Sequence, residues 1–292
     1  MNDICWDVAR DASDDGFIFV GSSESNASVA KSENSKGGSD FWVLKTNAGG
    51  TKIWDKTFGG SGFDSARKII ANGVNEFVIG GSSDSPISGN KSEESRGEMD
   101  FWLLKIDSLG KIIWEKRFGS VLDDECLSLA RTMDHKILAG GYAYHTGGDR
   151  TQGTLGNRDL WVLKLEQNSS KIWDRRFGGN SNEYCRDIMV TQQNEFLLLG
   201  NSDSYNFNDS DGINPDYNDL WLLKINQDGD ELWNRFHGGN NQHETGYAGT
   251  LAPSGDMFLA GKSNSSATAN KTSPRLGSYD FWIIKADSNG SR

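Results

Sequence analysis

The stretch DFWVLKTNAGGTKIWDKTFGG (Asp40–Gly60) decides the fold, because the chain repeats it. DFWLLKIDSLGKIIWEKRFGS begins at Asp100, DLWVLKLEQNSSKIWDRRFGG at Asp159 and DLWLLKINQDGDELWNRFHGG at Asp219. A fifth copy, DFWIIKADSNGSR, begins at Asp280. The tryptophans Trp42, Trp102, Trp161, Trp221 and Trp282 are spaced by 60, 59, 60 and 61 residues. A fixed period of this size marks a repeat architecture.

Each unit carries four strand signals. In the second unit these are SARKIIA, EFVIGG, DFWLLK and KIIWEK, here called strands A to D. Asn72-Gly73 separates the first two and an Asp-x-x-Gly turn the last two, both hairpin signals. A long Ser/Asn/Gly-rich loop joins B to C. No helical periodicity interrupts the pattern. Four antiparallel strands per unit predict an all-β, five-bladed β-propeller, with A strands near Trp6, Arg67, Leu127, Arg186 and Tyr247 on the axis. The expected blades span about 3–60, 61–120, 121–179, 180–239 and 240–292, one domain in all. The last is expected to lack strand D, leaving its edge at Phe281–Lys285 open to strand pairing with another chain.

The run DFWVLK…KIWDKTFGG…EF.IGGSS resembles the roughly 60-residue propeller-type repeats of secreted and surface proteins of bacteria, the Bacteroidetes group above all. Its layout is similar to quinoprotein-type blades. The resemblance implies a propeller, export and display at a bacterial surface. It carries over no cofactor ligands.

Composition narrows the function. A net charge of −11 argues against nucleic acid or an anionic membrane surface as partner. No run reads as a membrane span or a leader, so export would rest on a signal outside this stretch. No Ser-His-Asp set, phosphate loop or zinc spacing is visible, so a non-enzymatic binding or structural module is expected, without a cofactor.

Positions that repeat read as scaffold. The recurring tryptophans read as core between blades. Cys5, Ala66, Cys126, Cys185 and Gly246 share one small-residue position, where a free thiol acts as a small hydrophobe. Asp40, Asp100, Asp159, Asp219 and Asp280 read as caps of the long loop. Lys45, Lys105, Lys164, Lys224 and Lys285 read as partners of local acids.

One acid precedes every A strand: Asp3, Asp64, Asp124, Glu183 and Glu244. It reads either as a clasp accepting backbone N–H bonds or as a ring of carboxylates holding a cation at one channel mouth. A metal-dependent enzyme at that mouth is the alternative function, and a ligand-free spacer in a longer repeat protein is a third.

Sites belong where repeats differ. The B–C loops, residues 24–39, 84–99, 143–158, 203–218 and 264–279, differ most. Tyr142, Tyr144 and His145 in the third, and Tyr205, Phe207 and Tyr217 in the fourth, mix aromatic faces with amides and carboxylates, which suits a glycan; a protein ligand is the other partner expected. NDSDGINPD (residues 208–216) makes calcium a candidate, although Phe207 and Asn218 stand where an EF-hand loop has its first and last acids.

Overall fold

The computed structural model describes residues 2–205, 217–239, 242–268 and 271–292. It is an all-β, five-bladed β-propeller. The first blade is β1 (Asp3–Asp11), β2 (Gly16–Ser23), β3 (Asp40–Thr46) and β4 (Lys52–Phe58). The second is β5 (Asp64–Ala71), β6 (Glu76–Ser83), β7 (Asp100–Asp107) and β8 (Ile112–Phe118). The third is β9 (Asp124–Arg131), β10 (Ile137–Ala143), β11 (Asp159–Leu165) and β12 (Lys171–Phe177). The fourth is β13 (Glu183–Val190), β14 (Phe196–Ser202), β15 (Asp219–Ile225) and β16 (Glu231–His237). The fifth is β17 (Glu244–Leu251), β18 (Met257–Ser263) and β19 (Asp280–Ala286). Each blade is an antiparallel meander, four-stranded in the first four and three-stranded in the fifth.

Alternation along the strands gives every blade two apolar faces, and neighbouring blades bury them against each other. Four hydrophobic clusters result among the described residues, one at each seam from blades one–two to blades four–five. At the first seam Phe41 meets Trp102 with ring centroids 4.8 Å apart. At the second Phe101 meets Trp161 at 4.9 Å. The strand-C tryptophans also need a polar partner. Trp102 Nε1 donates to Glu115 Oε2 at 2.6 Å and Trp161 Nε1 to Asp174 Oδ2 at 3.3 Å, each acid lying on the next strand of the same blade.

The strand-D tryptophans tie blade to blade. Trp54 Nε1 donates to Ser108 O (3.1 Å), Trp114 to Gln167 O (2.9 Å) and Trp173 to Gln227 O (3.0 Å), each acceptor sitting in the C–D turn of the following blade. The strand-C lysines pair with acids near the A–B turn of their own blade: Lys105 with Glu76 at 2.7 Å, Lys224 with Glu195 at 2.6 Å and Lys285 with Asp256 at 2.8 Å.

The first blade departs from this pattern. Its counterparts of the buried residues are open: Trp42 is half-buried and Cys5 is exposed, whereas Cys126 and Cys185 are fully buried. The physical reason is that, among the described residues, no apolar cluster covers the face of the first blade that points away from the second. Burial pushes the Cys185 thiol up to about 12 and raises Cys126 above its ordinary value.

Two outcomes follow from this difference between equivalent positions. Trp102→Ala should cost about 3–5 kcal/mol in denaturant unfolding, as for other buried tryptophans. Trp42→Ala should cost clearly less, because fewer contacts are lost; equal costs would show that the first blade's outer face is covered. In a native thiol-labelling time course Cys5 should react at least ten times faster than Cys126 and Cys185, since a buried thiol yields little thiolate.

Candidate functional site

The axial channel is built by one irregularity repeated in every inner strand. In β1 the pairing with β2 runs Cys5↔Gly21 and then Asp7↔Val20, so Trp6 is left unpaired. The same skip leaves Arg67, Leu127, Arg186 and Tyr247 unpaired in β5, β9, β13 and β17. A bulge re-aims the side chain of the extra residue. Here all five bulge residues line one cavity of about 530 Å³, together with Glu125, Tyr142, Arg158 and Tyr184. Opposite each bulge stands a glycine: a Cβ on Gly21, Gly81, Gly141, Gly200 or Gly261 would lie 1.7–2.1 Å from a carbonyl of the bulged strand. This glycine, present in all five B strands, is thus what lets the bulge form.

The bulge position is where the blades stop being alike: Trp, Arg, Leu, Arg, Tyr. The Arg67 guanidinium lies 4.2 Å from the centroid of Trp6. Arg186 lies 5.2 Å from Tyr184 and 5.3 Å from Tyr247. Arg158 lies 4.6 Å from Tyr144 and 5.0 Å from Tyr142, and Nη1 donates to the Tyr184 hydroxyl at 2.5 Å. Among the described residues none of these three arginines has a carboxylate within 4 Å, although the chain carries eleven more acidic than basic groups. Glu125 is the acid of this cavity, and it accepts the Tyr142 hydroxyl at 2.7 Å. Burial and that neighbouring charge hold the Tyr142 phenol above its ordinary value, so it stays a donor. Arg186 is shifted the other way, below its ordinary value, by burial, with Arg67 adding to the shift. Lys68 Nζ lies 3.5 Å from Asp187 Oδ1, joining the inner strands of blades two and four.

Of the residues singled out in and beside the B–C loops, Tyr142, which belongs to β10, lines this cavity, and Tyr144 packs against its Arg158. The two tyrosines form an edge-to-face group with Tyr184, Tyr142 lying 5.1 Å from Tyr184 and 6.2 Å from Tyr144. His145 is exposed and its Nδ1 is 2.9 Å from Thr146 O. Tyr217 packs edge-on against His243 at 5.9 Å and Tyr205 is exposed; neither lines the channel cavity. Phe207 and the NDSDGINPD stretch lie outside the described residues. Sequence reasoning used Trp6, Arg67, Leu127, Arg186 and Tyr247 only to count strands. The signal was their variation at a fixed place in an otherwise uniform unit.

The acids expected before the A strands are the first residues of those strands and are turned toward the adjoining loops. Glu183 accepts Ser202 Oγ (2.8 Å), Ser204 Oγ (2.5 Å) and Gly179 N (3.0 Å). Glu244 accepts Ser263 Oγ (2.8 Å), Ser265 Oγ and Gly239 N (3.2 Å). Asp64 accepts Gly60 N (2.8 Å) and Ser85 Oγ (3.0 Å), Asp124 accepts Ser120 N, and Asp3 accepts Ser23 Oγ (2.6 Å) and Ser25 Oγ (2.9 Å). Four of the strand-C aspartates cap the loop before them: Asp40 accepts Lys36 N (2.8 Å), Asp100 Arg96 N (2.7 Å), Asp159 Leu155 N (3.2 Å) and Asp280 Leu276 N (2.8 Å). The two carboxylates nearly meet: a Cβ on Gly59 would lie 1.9 Å from Asp40 Oδ1 and 2.7 Å from Asp64 Oδ2. This crowding requires the first glycine of the FGG signature.

Buried bases offset the two acids. Lys31, Lys91, Arg150 and Lys271, one from each described B–C loop, are almost fully buried. Arg150 Nη2 lies 3.3 Å from Asp159 Oδ2. Burial lowers Lys31 and Lys91 below their ordinary values, against the opposing pull of Asp40 and Asp3 on the first and of Asp100 and Asp64 on the second. In the third blade the chain thus places a cation of its own against the carboxylate, while the lysines Lys31, Lys91 and Lys271 hold loop carbonyls. Two acids to one base leave a negative charge over, and burial, with Asp100 adding, raises Asp124 to about 7. Glu183 is raised to about 7 in the same way, with Asp159 adding.

No family model matches the chain, and no curated protein matches it. Among solved structures it is similar to hydrazine synthase of Kuenenia stuttgartiensis, at 9% identity and a TM-score of 0.49, over 87% of this chain and 61% of that one. It thus spans about three fifths of that chain. It is also similar to the WD40 domain of Neurospora crassa Pan2, at 12% identity and a TM-score of 0.38, over 87% and 85% of the two chains.

The raised carboxyls give a pH signature. Folded Asp124 keeps its proton to about pH 7, whereas an unfolded aspartate loses it near pH 4. Between those limits the folded state binds more protons, so this group's contribution to stability falls as pH rises. His237, held near 4 by burial, slopes the other way up to about pH 6.5, so the comparison must be with a variant. Asp124→Asn, which keeps an acceptor for Ser120 N, should be more stable than the parent by about 2–4 kcal/mol at pH 8 and gain little at pH 4. Thermal melts across that range measure it; parallel profiles would show that Asp124 is ionised throughout.

Proposed function

We propose that this chain is a ligand-binding propeller module whose recognition site is the arginine-and-aromatic mouth of its channel, and that the ligand is a glycan bearing carboxylate groups. The observation that carries the reading is the set Arg67, Arg158 and Arg186: three guanidiniums at one cavity, stacked on aromatic rings and, among the described residues, with no carboxylate within 4 Å. Stacking fixes a guanidinium in place without neutralising it, which keeps its planar fork available for a bidentate carboxylate. The acid of the cavity, Glu125, is engaged with Tyr142, which leaves the three guanidiniums to a ligand. Trp6, Tyr184 and Tyr247 add the flat faces on which a sugar ring rests.

The reading is of binding without bond-making. Tyr142 stays a donor, Glu125 is engaged with it, and the thiols of Cys126 and Cys185 are buried in the blade seams. The differing bulge residues give a five-sided mouth with two arginines, two aromatics and one leucine, hence one preferred orientation for an asymmetric ligand.

Binding is measured by Trp6 fluorescence or calorimetry with a uronate oligosaccharide and its methyl ester, in which the carboxylates are uncharged. The acid should bind at least ten times more tightly than the ester, and added salt should weaken it. Arg186→Ala and Arg67→Ala should each lose tenfold or more in affinity with little change in melting temperature. Equal binding of acid and ester, or unchanged binding by both variants, would remove the site from the channel.

A further inference from the structure

The unfilled seam between the fifth and first blades carries a second inference, on different residues. Every blade presents one forward face and one backward face, and the chain ends with one of each uncovered. On the forward face Phe41, Phe101, Leu160 and Leu220 are at most 1% exposed, but their counterpart Phe281 is 76% exposed. Val43, Leu103, Val162 and Leu222 are wholly buried, but Ile283 is 59% exposed. On the backward face Trp102, Trp161, Trp221 and Trp282 are buried while Trp42 is only half-buried. Beside Trp42 lies an apolar hollow of about 410 Å³, lined by Ile4, Cys5, Phe19 and Leu44 and by other residues of the first blade alone.

We infer that this seam is a docking surface for one further blade of the same repeat. The two uncovered faces are the two halves of a joint that the molecule makes four times elsewhere. Phe281 is the residue type that meets a strand-C tryptophan in the first two seams, at 4.8 and 4.9 Å. The occupant must therefore present a tryptophan to Phe281 and, on its other face, a Phe or Leu with a Val or Leu to the hollow beside Trp42. A blade of this repeat has both. A second whole copy does not cover the two faces together, because both faces of each of its inner blades are already buried in its own seams. A lone strand added at the outer edge of β19 pairs backbone but leaves Phe281, Ile283 and Trp42 in water.

The test extends the full chain. One variant carries a copy of residues 111–179 after Arg292, supplying the outer strand of blade five and a sixth blade. A control carries residues 111–120 alone. Cys5 labelling reads the hollow directly, because Cys5 lines it. The six-blade chain should label Cys5 at least tenfold more slowly than the parent and shift tryptophan emission to the blue, while the control labels like the parent. Phe281→Lys should leave the parent's melting temperature nearly unchanged, since that side chain is exposed, and should restore fast Cys5 labelling in the six-blade chain. The inference is overturned if the six-blade chain labels Cys5 at the parent's rate. It is overturned equally if Phe281→Lys destabilises the parent, which would mean blade five already closes on blade one. Concentration-dependent self-association of the parent that Phe281→Lys abolishes would make a second copy the occupant instead.

Discussion

A four-stranded sheet with two apolar faces cannot be stable alone, and everything else in this molecule follows from how that problem is met. Each blade from the second to the fifth lends the blade before it a tryptophan and receives a Phe or Leu against it. Burying an aromatic of that size removes a large apolar area from water. The indole N–H, which must find an acceptor once buried, finds one on the adjoining strand. The acceptor in turn receives the B–C loop of the same blade: Glu115 takes Ser92 N and Asp174 takes Thr151 N, at 2.8 and 2.9 Å. One packing requirement thus fixes the C strand, the D strand and the long loop between B and C.

Because the scaffold is set by repeated positions, its features were open to reading from sequence. The period of the tryptophans, the hairpin signals and the alternation of Phe41, Val43 and their equivalents define blade number and strand order without any three-dimensional information. The strand-C aspartates and lysines were legible for the same reason: a role that recurs in every blade is a structural one. The three-stranded fifth sheet, too, could be read from where the D-strand pattern stops.

The site was harder to read, for a physical cause. Loops vary most in sequence, so attention falls on them, yet the channel mouth is made by one bulged residue per inner strand. A bulge is a backbone event, and its trace in sequence is the glycine on the opposite strand, which looks like any other turn-prone glycine. Arg158 was hidden differently. It comes from the end of a loop, and only the fold brings it over Tyr142, Tyr144 and Tyr184. The buried bases escaped notice as well, since Lys31 and Lys91 sit among many polar residues and nothing local shows that they are enclosed with two carboxylates.

The indole-to-turn bonds of Trp54, Trp114 and Trp173 all point the same way along the chain. Four like apolar joints in linear succession, with the Lys68–Asp187 pair reaching past one blade, make the molecule close to a short one-dimensional array in its energetics. In such an array the inner blades are held from two sides and the terminal blades from one. Opening then proceeds from the ends inward, and the least stable parts are the blades that carry Trp6 and Tyr247. Hydrogen exchange would grade the molecule by blade, slowest in the third, and the channel mouth would loosen on its open side long before its arginine-bearing wall gave way.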